Sequence, residues 1–175
     1  MSNVIEYVTM SSEGNATDFG DLAANRDQFG SCGNTTRGVF SGGSYTSTSN
    51  VIDYITIAST GNVTDFGDLT VARTWVASGV AASSTRGLTF GGMNTSSTYQ
   101  NVIDYITIGS TGNATDFGDL TSIRTLIFST SNATKAVCGR DSWIYDNSID
   151  VVTIASTGNA TDFGDLVTGL RGQVG

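Results

Sequence analysis

A phrase of twenty residues occurs four times in this chain. It reads NVIEYVTMSSEGNATDFGDL from Asn3, NVIDYITIASTGNVTDFGDL from Asn50, NVIDYITIGSTGNATDFGDL from Asn101 and NSIDVVTIASTGNATDFGDL from Asn147, at spacings of 47, 51 and 46 residues. A unit of this size cannot bury its hydrophobic face alone. Neighbouring copies must stack on one another, so the chain is expected to fold as an array rather than around a single central core.

A shorter repeat lies between the copies. Arg37-Gly38-Val39-Phe40-Ser41-Gly42-Gly43 matches Arg86-Gly87-Leu88-Thr89-Phe90-Gly91-Gly92, and Lys135-Ala136-Val137-Cys138-Gly139-Arg140 is a degenerate third version. Arg26, Arg73 and Arg124 each follow an Asp-Leu pair by four residues, and Arg171 follows the last by five. Within a copy, Val51 to Ile57 is dense in β-branched and aromatic residues, which strands favour. Its apolar residues occupy both parities of the alternation, so both faces of this strand are expected to be covered. Ser59-Thr60-Gly61-Asn62 reads as a turn and Thr64 to Leu69 as the returning strand of a hairpin. Arg73 to Ala82 reads as a third strand and Arg86 to Gly92 as a fourth. The fold class is therefore all-β, with four short strands per repeat, which is the make-up of a propeller blade.

The wording also resembles the kelch repeat, which has a Gly-Gly doublet closing its second strand, an aromatic residue in the third, and a hydrophobic residue followed by Arg after the fourth. Gly91-Gly92, Tyr105 and Leu120 with Arg124 stand in that order, and Phe19, Phe66, Phe117 and Phe163 take the place of the usual kelch Trp. The resemblance covers nearly the whole chain and implies a kelch-like β-propeller of about 3.5 four-stranded blades. It divides a single repeat domain, 1–175, into a half blade at 3–22, full blades at 26–69, 73–120 and 124–166, and a tail or start of a next blade at 167–175. The ring is expected to be partial, or completed by association with other chains through exposed edges and faces; an open solenoid-like stack is the alternative. The phrase further resembles repeat proteins of marine bacteriophages, particularly virion and tail-fibre-like ones. That implies a virion location and a structural role.

Charge and composition narrow the function. The net charge is −8 and there is no histidine. An acidic chain repels phosphate backbones and anionic lipid surfaces, so no nucleic-acid partner and no membrane insertion are expected. The absence of histidine rules out His-based triads and His metal sites. The first ten residues carry no basic-then-apolar leader pattern. Cys32 and Cys138 stand at non-equivalent repeat positions and read as free thiols.

The pairs Asp18/Asp21, Asp65/Asp68, Asp116/Asp119 and Asp162/Asp165 recur in one frame, whereas an active site needs unique residues. The expectation is structural: the carboxylates either cap backbone N–H groups or pair with Arg26, Arg73 and Arg124 in a ladder between blades. A calcium loop gathers more oxygen ligands over a few residues, so no metal and no cofactor are expected. Asp-Phe-Gly also occurs in protein kinases, but the partner motifs of a kinase are missing. No enzymatic activity is expected.

Variation is concentrated in the loops after the Gly-Gly doublets, which carry Tyr45, Tyr99, Trp143 and Tyr145. Aromatics on variable loops can stack on sugar rings or anchor a protein interface. The expected function is a non-enzymatic structural or binding module of a larger assembly, whose partners are other protein chains, through self-association or virion neighbours. The alternatives are a carbohydrate-binding propeller lectin recognising a surface glycan and a kelch-type protein-interaction adaptor.

Overall fold

Each copy of the repeated phrase forms a hairpin, and each hairpin after the first extends a meander. A computed structural model describes residues 2–79, 84–125, 127–139 and 146–168, and these contain strands and turns but no helix. Strands β1 (Val4–Tyr7) and β2 (Thr17–Asp21) form a two-stranded hairpin. Next, β3 (Gly30–Gly33), β4 (Arg37–Ser41), β5 (Val51–Thr56) and β6 (Thr64–Asp68) form a four-stranded antiparallel sheet in chain order. After β7 (Arg73–Thr74) come β8 (Ala77–Gly79), β9 (Arg86–Phe90), β10 (Met93–Asn94), β11 (Gln100–Thr107) and β12 (Thr115–Arg124). Here β8, β9, β11 and β12 make the second four-stranded sheet, while β7 and β10 pair as a short ribbon. The third sheet is β13 (Phe128–Ser131), β14 (Lys135–Gly139), β15 (Ser148–Thr153) and β16 (Thr161–Asp165). The first strands meet one another: β8 lies against β3 on one side and β13 on the other. The described strands form several small sheets, with no closed barrel among them.

Two strands differ from expectation. The stretch read as one strand from Arg73 is divided into β7 and β8, because Trp75 between them adopts a left-handed backbone (φ 54°) that no strand accommodates. In the second sheet the returning strand does not stop at Leu120. It continues to Arg124, which pairs with Gln100.

The core lies between sheets. Val39, Ile52, Phe66 and Leu69 of the first sheet pack with Ile106 and Ile108 of the second. On the other side of β11, Ile103 joins Leu88, Phe90 and Phe117 in a cluster shared with Ala136, Cys138, Val152 and Ile154 of the third sheet. Both faces of β11 are thus buried, as its two-parity apolar pattern requires. Tyr54 meets Phe66 edge-on, and Tyr105 meets Phe117 likewise.

The turn phrase holds successive hairpins together. Gly61 N–H donates to the Phe19 carbonyl (2.7 Å) and Val63 N–H to that of Asp21 (3.0 Å). Gly112 and Ala114 make the same bonds to Phe66 and Asp68, and Gly158 and Ala160 make them to Phe117 and Asp119. Asn62, Asn113 and Asn159 complete the contact, their Oδ1 atoms accepting the N–H of Asp21, Asp68 and Asp119. The approach is so close that a Cβ on Gly118 would stand 2.5 Å from the Gly158 carbonyl oxygen, and its φ of 141° is itself costly for any side-chain-bearing residue.

Candidate functional site

The recurrent charged residues are built into the scaffold. Arg73, fully buried, donates through Nη1 to the carbonyls of Gly91 (2.8 Å) and Val102 (2.9 Å), and through Nη2 to Asp104 Oδ2 (2.5 Å). Arg26 bonds Val51 O and Asp53 Oδ2 in the same way, and Arg124 bonds Ser148 O and Asp150 Oδ1. Arg124 also reaches Asp146 (3.3 Å). Burial works against the charge of Arg26 and Arg73, and the Asp53 and Asp104 carboxylates oppose that effect. Burial raises the Asp146 carboxyl, but hydrogen bonds from Ser148 and the Arg124 charge outweigh it and hold that group below its usual range.

These pairs correct the expected ladder. The arginines bind the Asp of the Ile-Asp phrase within their own repeat, not the Asp-x-x-Asp pairs of a neighbour. Asp53, Asp104 and Asp150 sit in unbroken register with Phe40, Thr89 and Cys138, while the strand on their other side carries a β-bulge whose extra residue is Phe66, Phe117 or Phe163. Asp18, Asp65, Asp116 and Asp162 are exposed, Asp21, Asp68 and Asp119 are half-buried, and Asp165 is exposed. Asp116 and Asp162 accept the N–H of Gly118 and Gly164, the backbone role foreseen for them. No group of three or more Asp, Glu, His or Cys among the described residues could hold a metal ion.

Contacts between sheets use other arginines. Arg37 lies over the Tyr54 ring and donates to the Ile108 carbonyl (2.8 Å); Arg86 lies over Tyr105 and donates to that of Ile154 (2.8 Å). The Gly-Gly doublets serve the same end. Gly43 N–H donates to the Arg73 carbonyl and Gly92 N–H to that of Arg124, each at the start of the next repeat. Burial pushes the thiols of Cys32 and Cys138 up to about 12, which keeps both protonated at neutral pH.

A cleft of about 360 Å³ lies between the first two repeats, on the side of the doublet loops. Gln28, Ser44, Tyr45, Thr74, Trp75 and Asn94 line it, with further Ser and Thr hydroxyls and Met93, and no lining residue is charged. Tyr45 is 59% exposed. The Thr74 hydroxyl bonds Gln28 Oε1 (2.9 Å), and Trp75 N–H donates to the Gln28 carbonyl (3.0 Å), which ties the two repeats together at the cleft floor. Asn94 holds its loop by accepting the N–H groups of Ser96 and Thr98.

Gln28, Trp75 and Ser97 are the non-glycine residues with positive φ among the described ones, at 56°, 54° and 56°, and all three line this cleft. Backbone strain of this kind concentrates at functional sites. Of the aromatics singled out from sequence, Tyr45 lines the cleft. Tyr99 is half-buried at the end of the second loop, bridged to Met93, and Trp143 and Tyr145 lie outside the described residues. Trp75 was missed because it was read as strand interior. The available signal was its place two residues after a fixed Arg, where the copies read Gln28, Trp75 and Leu126.

No protein family matches this chain, and no curated protein matches it in sequence.

Proposed function

We propose that the chain is a non-enzymatic structural and binding module made of kelch-like propeller blades, serving as scaffold or surface contact in a larger assembly of the virion or tail-fibre type. The observation that carries this reading is the division of labour among its polar residues. Arg26, Arg73, Arg124, Arg37 and Arg86 are committed to holding strands and sheets together. The cleft between the first two repeats is lined by neutral side chains. The three first strands, which meet at β8, support a radial arrangement of blades. Particles purified from a culture producing this protein provide the test. An antibody against the chain should detect it co-sedimenting with assembled particles; confinement to the soluble fraction would exclude an assembly role.

A second reading is favoured by the cleft itself. Two aromatic rings, Tyr45 and Trp75, together with hydroxyl and amide groups and no charge, suit a neutral polyhydroxylated ligand such as a glycan. Binding on a glycan array that disappears in both Trp75→Ala and Tyr45→Ala is the expected outcome. Binding that survives both substitutions would place any sugar site elsewhere.

A further inference from the structure

Three times within this chain a hairpin turn sits on the Thr-Asp-Phe-Gly-Asp strand of the hairpin before it. Strand β16 offers a fourth such surface, Thr161-Asp162-Phe163-Gly164-Asp165, with no turn docked among the described residues. Phe163 is 60% exposed, whereas Phe66 and Phe117 are each 2% exposed. A Cβ on Gly164 would meet nothing within 4 Å. Around Phe163, Val137, Ile149 and Leu166 are only half-buried. They hold the repeat positions of Val39, Ile52 and Leu69, which Ile106 and Ile108 cover in the first interface.

The matching piece lies on the opposite side of the array. The turn after β1 is already formed: Ser12 N–H donates to the Thr9 carbonyl as Ser59, Ser110 and Ser156 do to Thr56, Thr107 and Thr153. Its Gly14 and Asn15 are exposed, and a Cβ on Gly14 would meet nothing. Val8 is 60% and Met10 98% exposed, although the same positions in the third copy, Ile106 and Ile108, are 8% and 0% exposed.

We infer that the β1–β2 hairpin of a second copy docks on β16 of the first, giving a head-to-tail contact. Gly14 N–H then donates to the Phe163 carbonyl, Ala16 N–H donates to that of Asp165, and Asn15 Oδ1 accepts the Asp165 N–H. Those are the bonds Gly158, Ala160 and Asn159 make to Phe117 and Asp119. Val8 and Met10 cover Phe163 and its neighbours. One part of the internal interface is altered: Lys135 and Val151 stand where Arg37 and Tyr54 form their stacked pair. The ammonium of Lys135 can still donate to the Met10 carbonyl, as Arg37 does to Ile108, but without the ring. Glu13, where the other turns carry Thr60, Thr111 and Thr157, brings a charge opposite to that of Lys135. The contact joins different surfaces of the two copies, so it propagates into a ring or a filament. It stands on this geometry whether or not the assembly is a virion.

Sedimentation velocity and native mass spectrometry of the 175-residue chain test the inference across a concentration series. The wild type should exceed its 18.2 kDa monomer mass, and Met10→Glu and Phe163→Asp should each be monomeric with an unchanged melting profile. Mixing the two variants should restore a one-to-one complex, because each keeps the surface the other has lost. A monomeric wild type at every concentration would overturn the inference. So would self-association that persists in Met10→Glu, since that would be a contact of β16 surfaces with each other. If Phe163→Asp fails to fold, Asn15→Ala, on an exposed turn, should weaken association several-fold; association unchanged in that variant would also overturn it.

Discussion

The strands Thr115-Asp116-Phe117-Gly118-Asp119 and Thr161-Asp162-Phe163-Gly164-Asp165 have one sequence and two environments. Phe117 is 2% exposed, inside the cluster shared by the second and third sheets, while Phe163 is 60% exposed. Gly118 is pressed against the Gly158 carbonyl, and Gly164 has open space beside the same backbone conformation, φ 141° against 140°. The backbone therefore adopts the docking shape whether or not anything is docked. Conformation is set within the hairpin, and burial is set by the neighbour, as expected of a quasi-one-dimensional array.

The largest consequence concerns the ring. Phe117→Ala should destabilise the chain by about 3–5 kcal/mol, the usual cost of emptying an aromatic site in a packed interior. Phe163→Ala should change monomer stability by no more than about 0.5 kcal/mol, as surface substitutions do. Urea unfolding of the two variants reads the difference directly. Equal costs would mean that the β16 face is covered in solution, and repeating the measurement below the association concentration would show whether a second copy covers it.

How far these differences were legible in the sequence depends on what each one rests on. The hairpins, the meander order and the two-sided burial of β11 follow from residue types and repeat spacing, because β-branched density and turn chemistry are local. The partners of Arg73 and Arg124 were not legible. Asp104 and Asp116 are both carboxylates of the repeated phrase, and only the three-dimensional pairing of the strands brings Asp104 to the guanidinium. Trp75 was hidden for a related reason: its left-handed backbone, which accompanies the bond from its N–H to the Gln28 carbonyl, is not marked by its residue type. The cleft accordingly lay outside the reach of pattern reading, although its loops did not.

A second pair of substitutions separates conformation from contact. Gly118→Ala and Gly164→Ala both place a side chain in a region of φ that costs about 1–3 kcal/mol. Only Gly118→Ala also pushes on the Gly158 carbonyl and loosens the two backbone bonds of that turn, each with a net worth of about 0.5–1.5 kcal/mol. Gly118→Ala should therefore exceed Gly164→Ala by about 1–3 kcal/mol in chemical denaturation. Identical losses would show that the close approach at Gly118 relaxes freely, and the interface would then be softer than its geometry implies.

The smallest effect is the most discriminating, because it changes one acceptor and no backbone. Asn159 Oδ1 takes the Asp119 N–H at 3.0 Å, near the surface, whereas Asn15 is exposed on the turn after β1. Asn159→Ala should cost about 0.5–1.5 kcal/mol, the net value of one hydrogen bond. Asn15→Ala should leave the thermal midpoint of the monomer where it is. If the hairpin of one copy seats on β16 of another, Asn15→Ala must instead appear in the association constant. One substitution made at two equivalent positions would then register once in folding and once in assembly. That separation would show a single docking contact used inside the chain and again between chains. A loss of monomer stability in Asn15→Ala would mean that this turn already contacts its own chain, which would remove the free surface that head-to-tail docking needs.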